Sequence, residues 1–234
     1  MTETQPTFSL VIPLYNEEKN VTKVIVPIIS ELKKERIDYE LILVNNGSQD
    51  ETGKLIKELN KKNSRIKLVK IEVNQGYGWG IISGLKKTRG KYIGFMCGDE
   101  QVHPGDVIKT YHKLVSDNLD LCKVSRVIRQ DGFKRRLISI FYNFIFSLIF
   151  PVKSRDINGT PKIMKREVYE KINLKSKDWF IDAEAMIKCE KKGYKIGEVP
   201  IIFYQRKEGV SNVKLSTIFE FLKNILRYRI KGLD

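Results

Sequence analysis

Short apolar runs alternate with segments of helical periodicity along the first hundred residues. TFSLVI (7–12) is an apolar run that stops at Pro13. Residues 17–35 place Val21, Val24, Ile25, Ile28, Ile29 and Leu32 near 3.6-residue spacing, which predicts a helix. Pro27 is expected to kink it. ELILV (40–44) reads as a second buried strand, and Asp50 as the cap of a helix reaching about Asn60. IKLVKIEV (66–73) is a third strand, followed by a glycine-rich turn, a helix from about Trp79 to Thr88, and a fourth strand, KYIGFM (91–96). Strands alternating with helices predict an α/β fold of right-handed βαβ units, with helices on both faces of a mostly parallel sheet. Ligands of such sheets sit beyond the carboxyl ends of the strands. Those ends are Pro13–Glu17, Asn45–Asp50, Asn74–Gly80 and Cys97–Gln101.

After about residue 102 the pattern changes. A helix over 104–117 and a short strand over 120–125 are followed by KRRLISIFYNFIFSLIFPVK (134–153). A mixed segment containing DWFIDAEAMIKCEKKG (178–193), a strand EVPIIFYQR (198–206) and a basic C-terminal helix complete the chain. Residues 137–150 are apolar or aromatic except Ser139, Asn143 and Ser147, whose spacing puts them on one helical stripe. This run is too short to span a bilayer. It is either a buried core helix or one lying in a membrane interface. In 214–231, Leu215, Ile218, Phe219, Leu222 and Ile225 make an apolar face, with Lys214, Lys223, Arg227, Arg229 and Lys231 around it. Near an anionic leaflet such basic residues contribute about 1 kcal/mol each. No repeat or low-complexity linker divides the chain. One domain is expected, with a first half over about 7–101, a second over about 102–212, and the basic helix over 213–234.

Composition narrows the partners. The chain has 234 residues, 41% hydrophobic, enough for a sizeable core, and a net charge of +15 that favours anionic ligands or surfaces. The basic residues cluster beside apolar runs rather than among exposed aromatics, which argues against single-stranded nucleic acid. Cys97, Cys122 and Cys189 lack metal-type pairing, and an odd count argues against a disulfide framework, so a reducing cytosol is expected. No signal core follows an N-terminal positive charge. A soluble or peripheral protein is expected, with a membrane-protein partner left open.

The strand ends carry the chemistry, each with an ordinary alternative. Tyr15 offers a flat ring for a base, and Glu17 and Glu18 stand at a helix start, where carboxylates also serve as simple caps. Asn45 and Asn46 can hydrogen-bond a base edge or close a turn with Gly47-Ser48. NQGYGWG (74–80) suggests a dinucleotide site, but the G-x-G-x-x-G pattern needs glycine where Ile81 stands. Gly76 and Gly78 are expected to let the backbone approach a ligand closely. Asp99, assisted by Glu100 or Gln101, suits a cation on a diphosphate, or forms a solvated acidic turn that includes His103. SRVIRQDGFKRRLIS (125–139) holds five arginines and lysines, as a phosphate site or a solvated loop.

Taken in order, these stretches resemble family 2 glycosyltransferases of GT-A fold, especially the dolichyl- and polyprenyl-phosphate sugar synthases, over about residues 7–212. The family's P-x-Y-N-E is matched by Pro13, Tyr15, Asn16 and Glu17, and its D-D-G-S by Asn45-Asn46-Gly47-Ser48. Its N-x-G-x-G is matched by Asn74, Gly76 and Gly78, and its D-x-D-x-Q by Cys97, Asp99 and Gln101. Cysteine therefore replaces the first metal carboxylate, and a thiol is a poor ligand for hard Mg²⁺. The resemblance implies nucleotide-sugar contacts from these residues and from Arg206 of an R-x-x-G-x-S segment (Arg206, Gly209, Ser211). It implies a divalent cation, Mg²⁺ or Mn²⁺, on Asp99 and Gln101. Arg126, Arg135, Arg136 and Ser139 would hold an acceptor phosphate, and Asp99, Asp182 and Glu184 would be the catalytic carboxylates.

The implied reaction is inverting transfer of a sugar from a nucleotide diphosphate sugar to a dolichyl or undecaprenyl phosphate, on the cytosolic face of an anionic membrane. A glycan-hydroxyl acceptor would instead need Asp182 or Glu184 as general base. A phosphomonoester, with a second pKa of about 6, needs none. Asp182 could also simply cap its helix. A non-catalytic nucleotide-sugar-binding module is the remaining alternative.

Overall fold

Four parallel strands build the first half of the sheet: Phe8–Leu14 (β1), Tyr39–Asn46 (β2), Ile66–Ile71 (β3) and Tyr92–Phe95 (β4). Helices Val21–Lys34 (α1), Thr52–Lys62 (α2) and Tyr77–Leu85 (α3) connect them. The computed structural model describes residues 5–154, 156–208, 223–225 and 227–229, without the side chain of Lys134. Pro104–Ser116 (α4) leads to Leu121–Arg129 (β5) and Phe133–Ile149 (α5). Then follow Lys162–Lys165 (β6), Arg166–Ile172 (α6), Ile181–Lys191 (α7) and Ile196–Phe203 (β7). Among the described residues one sheet runs β3-β2-β1-β4-β6-β5-β7, with β6 antiparallel to both neighbours. A single sheet thus crosses both halves of the sequence.

β1 and β2 are buried along their whole length, which is why they read as unbroken apolar runs. Leu10, Ile12 and Leu14 pack with α1, α2 and α4 on one face, and Val11, Ile42 and Val44 pack with α3, α6 and α7 on the other. Pro13 lies inside β1 rather than after it. Val11 O accepts from Met96 N on the β4 side. Residues two apart in a strand face the same way, so the missing N–H of Pro13 points where β4 has already ended. β2 likewise extends through Asn46, placing both asparagines in the strand. α1 continues through Pro27. β5 runs four residues beyond its expected end, to Arg129, and the mixed segment hides β6 and α6.

α5 resolves the choice between core and surface. It buries Phe146, yet Phe133, Phe141 and Leu148 are 72%, 63% and 71% exposed. Its polar stripe turns inward at Asn143, whose Oδ1 accepts from Ile157 N at 3.0 Å and whose Nδ2 donates to Ser139 O at 2.8 Å. The helix thus faces the domain with Phe146 and the Asn143 amide and leaves several large apolar side chains exposed. No described helix is long and apolar enough to cross a membrane.

Of the basic C-terminal helix, Leu215, Ile218, Phe219, Leu222, Lys214 and Lys231 lie outside the described residues, as do Gly209 and Ser211. Ile225 is buried, Tyr228 stacks on Phe180 at 4.3 Å, and Lys223, Arg227 and Arg229 are exposed.

α3 seats on β1 and β2 because Gly84 lacks a side chain. A Cβ there would stand 2.3 Å from Val11 Cγ1 and 2.9 Å from Val44 Cγ2. Gly84→Ala is therefore expected to overpack this seam and lower stability by about 1–3 kcal/mol, read from the urea midpoint.

Candidate active site

A cavity of about 870 Å³ opens at the carboxyl ends of the strands and extends beneath α5. The loops after β1 and β2 are cross-tied. Asn16, at φ 53°, donates its N–H to Ser48 Oγ at 3.1 Å, and its Oδ1 accepts from Gln49 N at 2.9 Å. Glu17 N donates to Thr52 Oγ1 at 2.8 Å. The Asp50 carboxylate accepts from both Thr52 N and Glu18 N; the cap position of α2 is Glu51, so the expected cap, Asp50, stands one residue before it. Asn45 Oδ1 accepts from Ser48 N at 3.0 Å. Asn16 and Asn45 thus brace the turns outside the cavity wall, while Pro13, Tyr15, Glu17 and Asn46 line it.

Asn46 is the informative member of the pair. It is 3% exposed, and its Nδ2 donates to Gly76 O at 3.1 Å and to Asn74 Oδ1 at 3.4 Å. Its Oδ1 is buried with no partner. A buried orphan acceptor costs about 1–3 kcal/mol, so a cavity-lining oxygen of this kind marks a place for a ligand donor.

The close approach that Gly76 and Gly78 permit is to protein rather than to ligand, which corrects the expectation from sequence. A Cβ on Gly76 would meet Lys177 O at 2.4 Å, and one on Gly78 would meet Ser176 O at 2.2 Å. Gly76 still borders the cavity; Gly78 does not line it. The seam they make sets Tyr77 against Trp179, stacked at 4.4 Å, and aims the Tyr77 hydroxyl at Cys97 Sγ, 3.3 Å away.

At the end of β4, burial and the neighbouring Asp99 push the Cys97 thiol up to about 12. Burial also raises Asp99, against the pull of Arg206, the Gln101 N–H and Arg126. The Gln101 amide donates to Tyr204 O at 2.9 Å and so ties the end of β7 to this loop. No described group of three His, Cys, Asp or Glu side chains could hold an ion. The residues present fit Mg²⁺ or Mn²⁺ in a reduced form: Asp99 as the protein carboxylate, with further oxygens from a diphosphate. Arg206 closes this end. Its Nη2 donates to both Glu17 oxygens, at 2.6 and 2.7 Å, and its Nε to Glu208 O at 2.7 Å.

The far end is cationic. Arg126 pairs with Asp156 through Nε and Nη2, both at 2.7 Å, and Asp156 is held well below the usual carboxylate range by that guanidinium. Arg129 pairs with Asp131 in the same two-point manner, at 2.9 and 2.5 Å. Arg126, Arg129, Arg135 and Ser139 line the cavity; Arg136 is exposed outside its wall.

Asp182 lines the cavity as a first-turn residue of α7, whose cap position is Phe180. Its Oδ1 accepts from the fully buried Lys162 Nζ at 2.5 Å. Burial raises the Asp182 carboxyl, and Lys162 opposes the rise. Glu184 points away from the cavity. It is fully buried, accepts from Lys175 N and Ser176 N, and pairs with Lys188 at 2.7 Å. It holds the 175–176 turn and has no place at a reacting centre.

Four residues of the site were given no role of their own by the sequence: Tyr77, Arg129, Asp156 and Lys162. Arg129 sat unremarked in the counted basic cluster. Asp156 and Lys162 sit in a segment without periodicity, and only tertiary pairing reveals them.

A family model described as "Glycosyl transferase family 2" matches residues 9–173. A dodecaprenyl-phosphate galacturonate synthase of Rhizobium johnstonii is 28% identical over 93% of this chain and 65% of its own length. A dolichol-phosphate mannosyltransferase of Pyrococcus furiosus is 30% identical over 94% of this chain and 62% of its own. The chain thus spans somewhat under two thirds of these two synthases. Among solved structures, glucosyl-3-phosphoglycerate synthase from Mycobacterium tuberculosis, in complex with Mn²⁺, UDP and phosphoglyceric acid, superposes with a TM-score of 0.72. It is 19% identical over 97% of this chain and 78% of that one, a likeness of GT-A fold. With the strand-end loops converging on one cavity and the family model covering most of the sheet, the chain belongs to glycosyltransferase family 2.

Proposed function

We propose that this glycosyltransferase moves a sugar from a nucleotide diphosphate sugar to the phosphate of a polyprenyl lipid, working peripherally at the cytosolic face of a membrane. One observation carries the reading. The cavity joins the nucleotide-type loops at Asn46 and Asp99 to Arg126 and Arg135, and is walled on that side by Leu137, Ile138 and Phe141 of the outward-apolar α5. A phosphate on an apolar chain fits this gradient from charge to grease. The flanking Lys134-Arg135-Arg136 suits an anionic leaflet. The names of the two synthases support the same acceptor class.

In this reading Asn46 Oδ1 accepts from a donor on the base. Asp99 would be the protein ligand of a divalent cation, Mg²⁺ or Mn²⁺, which would supply charge to offset that of the departing diphosphate. Arg206, oriented by Glu17, adds N–H donors to the same oxygens. Arg126 and Arg135 orient the acceptor phosphate, which arrives mostly ionised and attacks the anomeric carbon in line, displacing the nucleoside diphosphate with inversion. Asp182 is engaged by Lys162, which occupies one of its oxygens and gives the carboxylate a partner other than the acceptor.

Radiolabelled sugar nucleotides with undecaprenyl or dolichyl phosphate are expected to give a lipid-linked monosaccharide. Turnover of phosphoglycerate or glycan acceptors, with no lipid product from any donor, would reject this reading. In the same assay Arg126→Ala is expected to lose about a hundredfold or more in kcat/KM, and Asp182→Asn less than about tenfold. The reverse order would favour a hydroxyl acceptor.

Asn46→Asp should weaken nucleoside diphosphate binding measured by calorimetry. The new oxygen would face Gly76 O and Asn74 Oδ1 without a proton to share. Asn46→Ala removes the orphan acceptor and should cost about tenfold in the same titration.

Cys97→Asp restores a hard ligand beside Asp99. Mn²⁺ binding without nucleotide, followed by electron paramagnetic resonance, should tighten about tenfold or more; unchanged binding would mean that position 97 faces no cation.

A further inference from the structure

β5 ends in a bulge that changes which way an arginine points. Arg126 pairs with Ile201 and Arg129 with Phe203, yet three residues span what two span on β7, so Val127 is the extra residue. In a regular strand, side chains three apart project from opposite faces. An inserted residue restores them to the same face. Arg126 and Arg129 accordingly both approach the Phe203 ring, with guanidinium carbons 5.0 and 5.4 Å from its centre, and both line the cavity. Each is fixed by a carboxylate through Nε and Nη2, which uses only part of the five-donor guanidinium. Arg129 stands three residues before Gly132, where the chain turns at φ 104° into α5. It thus lies nearer than Arg126 to the helix whose apolar side chains face outward.

We propose that Arg129, turned into the cavity by the bulge at Val127, is a binding residue for the phosphate of the acceptor. It would act beside Arg126 as the second prong of a two-arginine clamp. This rests on the lipid-phosphate reading above. The Asp131 pair orients the guanidinium, and both guanidiniums lie against the Phe203 ring and border the same cavity. Arginine suits the task because its planar fork meets phosphate oxygens two at a time. Donor diphosphate is the other source of phosphate in the cavity. Arg129 precedes the α5 cap by three residues, and this position at the start of the apolar helix assigns it to the acceptor.

The test is a pair of calorimetric titrations on the full chain, one with citronellyl phosphate as a short prenyl monoester and one with UDP and Mn²⁺. Arg129→Ala is expected to weaken the monoester about ten- to a hundredfold and to leave UDP within about twofold. Arg129→Lys should recover part of the loss. An Arg129→Met, Asp131→Asn double variant leaves no unpaired carboxylate, so it keeps the test valid if Arg129→Ala fails to fold; it should show the same loss. Wild-type affinity for the monoester in these variants would overturn the proposal, as would an equal loss of UDP, which would place Arg129 on the donor. A wild-type protein that binds UDP but no prenyl phosphate would overturn the acceptor reading itself, and the inference with it.

Discussion

Lys123 and Lys162 stand directly opposite each other across β5 and β6, and neither has any exposed surface. Two ammonium groups in that position repel, and each costs several kcal/mol to bring out of water. The surroundings compensate with a set of fixed acceptors. Lys162 is held by Asp182 and Gly159 O, and Lys123 by Val124 O, Asp156 O and Glu198. Burial lowers Lys123 to about 8, so it is still charged near neutrality. The segment around 156–160 cannot move without stranding one of these charges, and the Asp156 carboxylate that grips Arg126 belongs to it. The second half of the cavity is therefore built on a buried polar frame rather than on apolar packing alone.

That frame decides the electrostatics of the site. Arg126, Arg129 and Arg206 each reach the cavity already matched with a carboxylate: Asp156, Asp131 and Glu17. Matching reduces net charge but spends little of the donor capacity, because a guanidinium keeps further N–H groups after a two-point contact. The arginines are thus pre-aimed, and an anion meeting them would cost little side-chain freedom. The acidic side is sparse by comparison. Cys97 keeps its proton, since burial and Asp99 both oppose a thiolate, and its partners are the neutral hydroxyls of Tyr77 and Thr160. Where the family pattern has two carboxylates facing a cation, this chain has one carboxylate beside a neutral, hydrogen-bonded pocket.

Legibility from sequence followed the physical origin of each feature. The four parallel strands were visible because strands buried on both faces are continuous apolar runs, and their ends located the cavity without further information. β6 and α6 were not visible. Four residues of strand, KIMK, placed between a loop and a short helix, offer no period to detect, and one of them is a buried lysine that reads as surface. Asn45 and Asn46 looked equivalent in sequence, but strand alternation sends one toward the Ser48 turn and the other into the cavity. Asp182 and Glu184 likewise looked like a pair. Two residues apart on a helix they do not share a face, and only Asp182 reaches the site. Arg129 was obscured because the strand was expected to end near residue 125, which left it in a basic loop, and no sequence signal marks the bulge at Val127.

α5 joins these threads. A helix with Phe141 and Leu148 exposed would be an aggregation liability if water were its only environment. Its inward side carries, beside the buried Phe146, an amide, Asn143, bonded to Ile157 N one residue beyond Asp156. The helix is thereby anchored through a directional polar contact to the same segment that holds Lys123 and orients Arg126. The exposed apolar face and the arginine end of the cavity are therefore joined through one backbone segment, Asp156–Ile157. This is the arrangement a transferase needs if its acceptor presents a charged head on a chain that stays in grease.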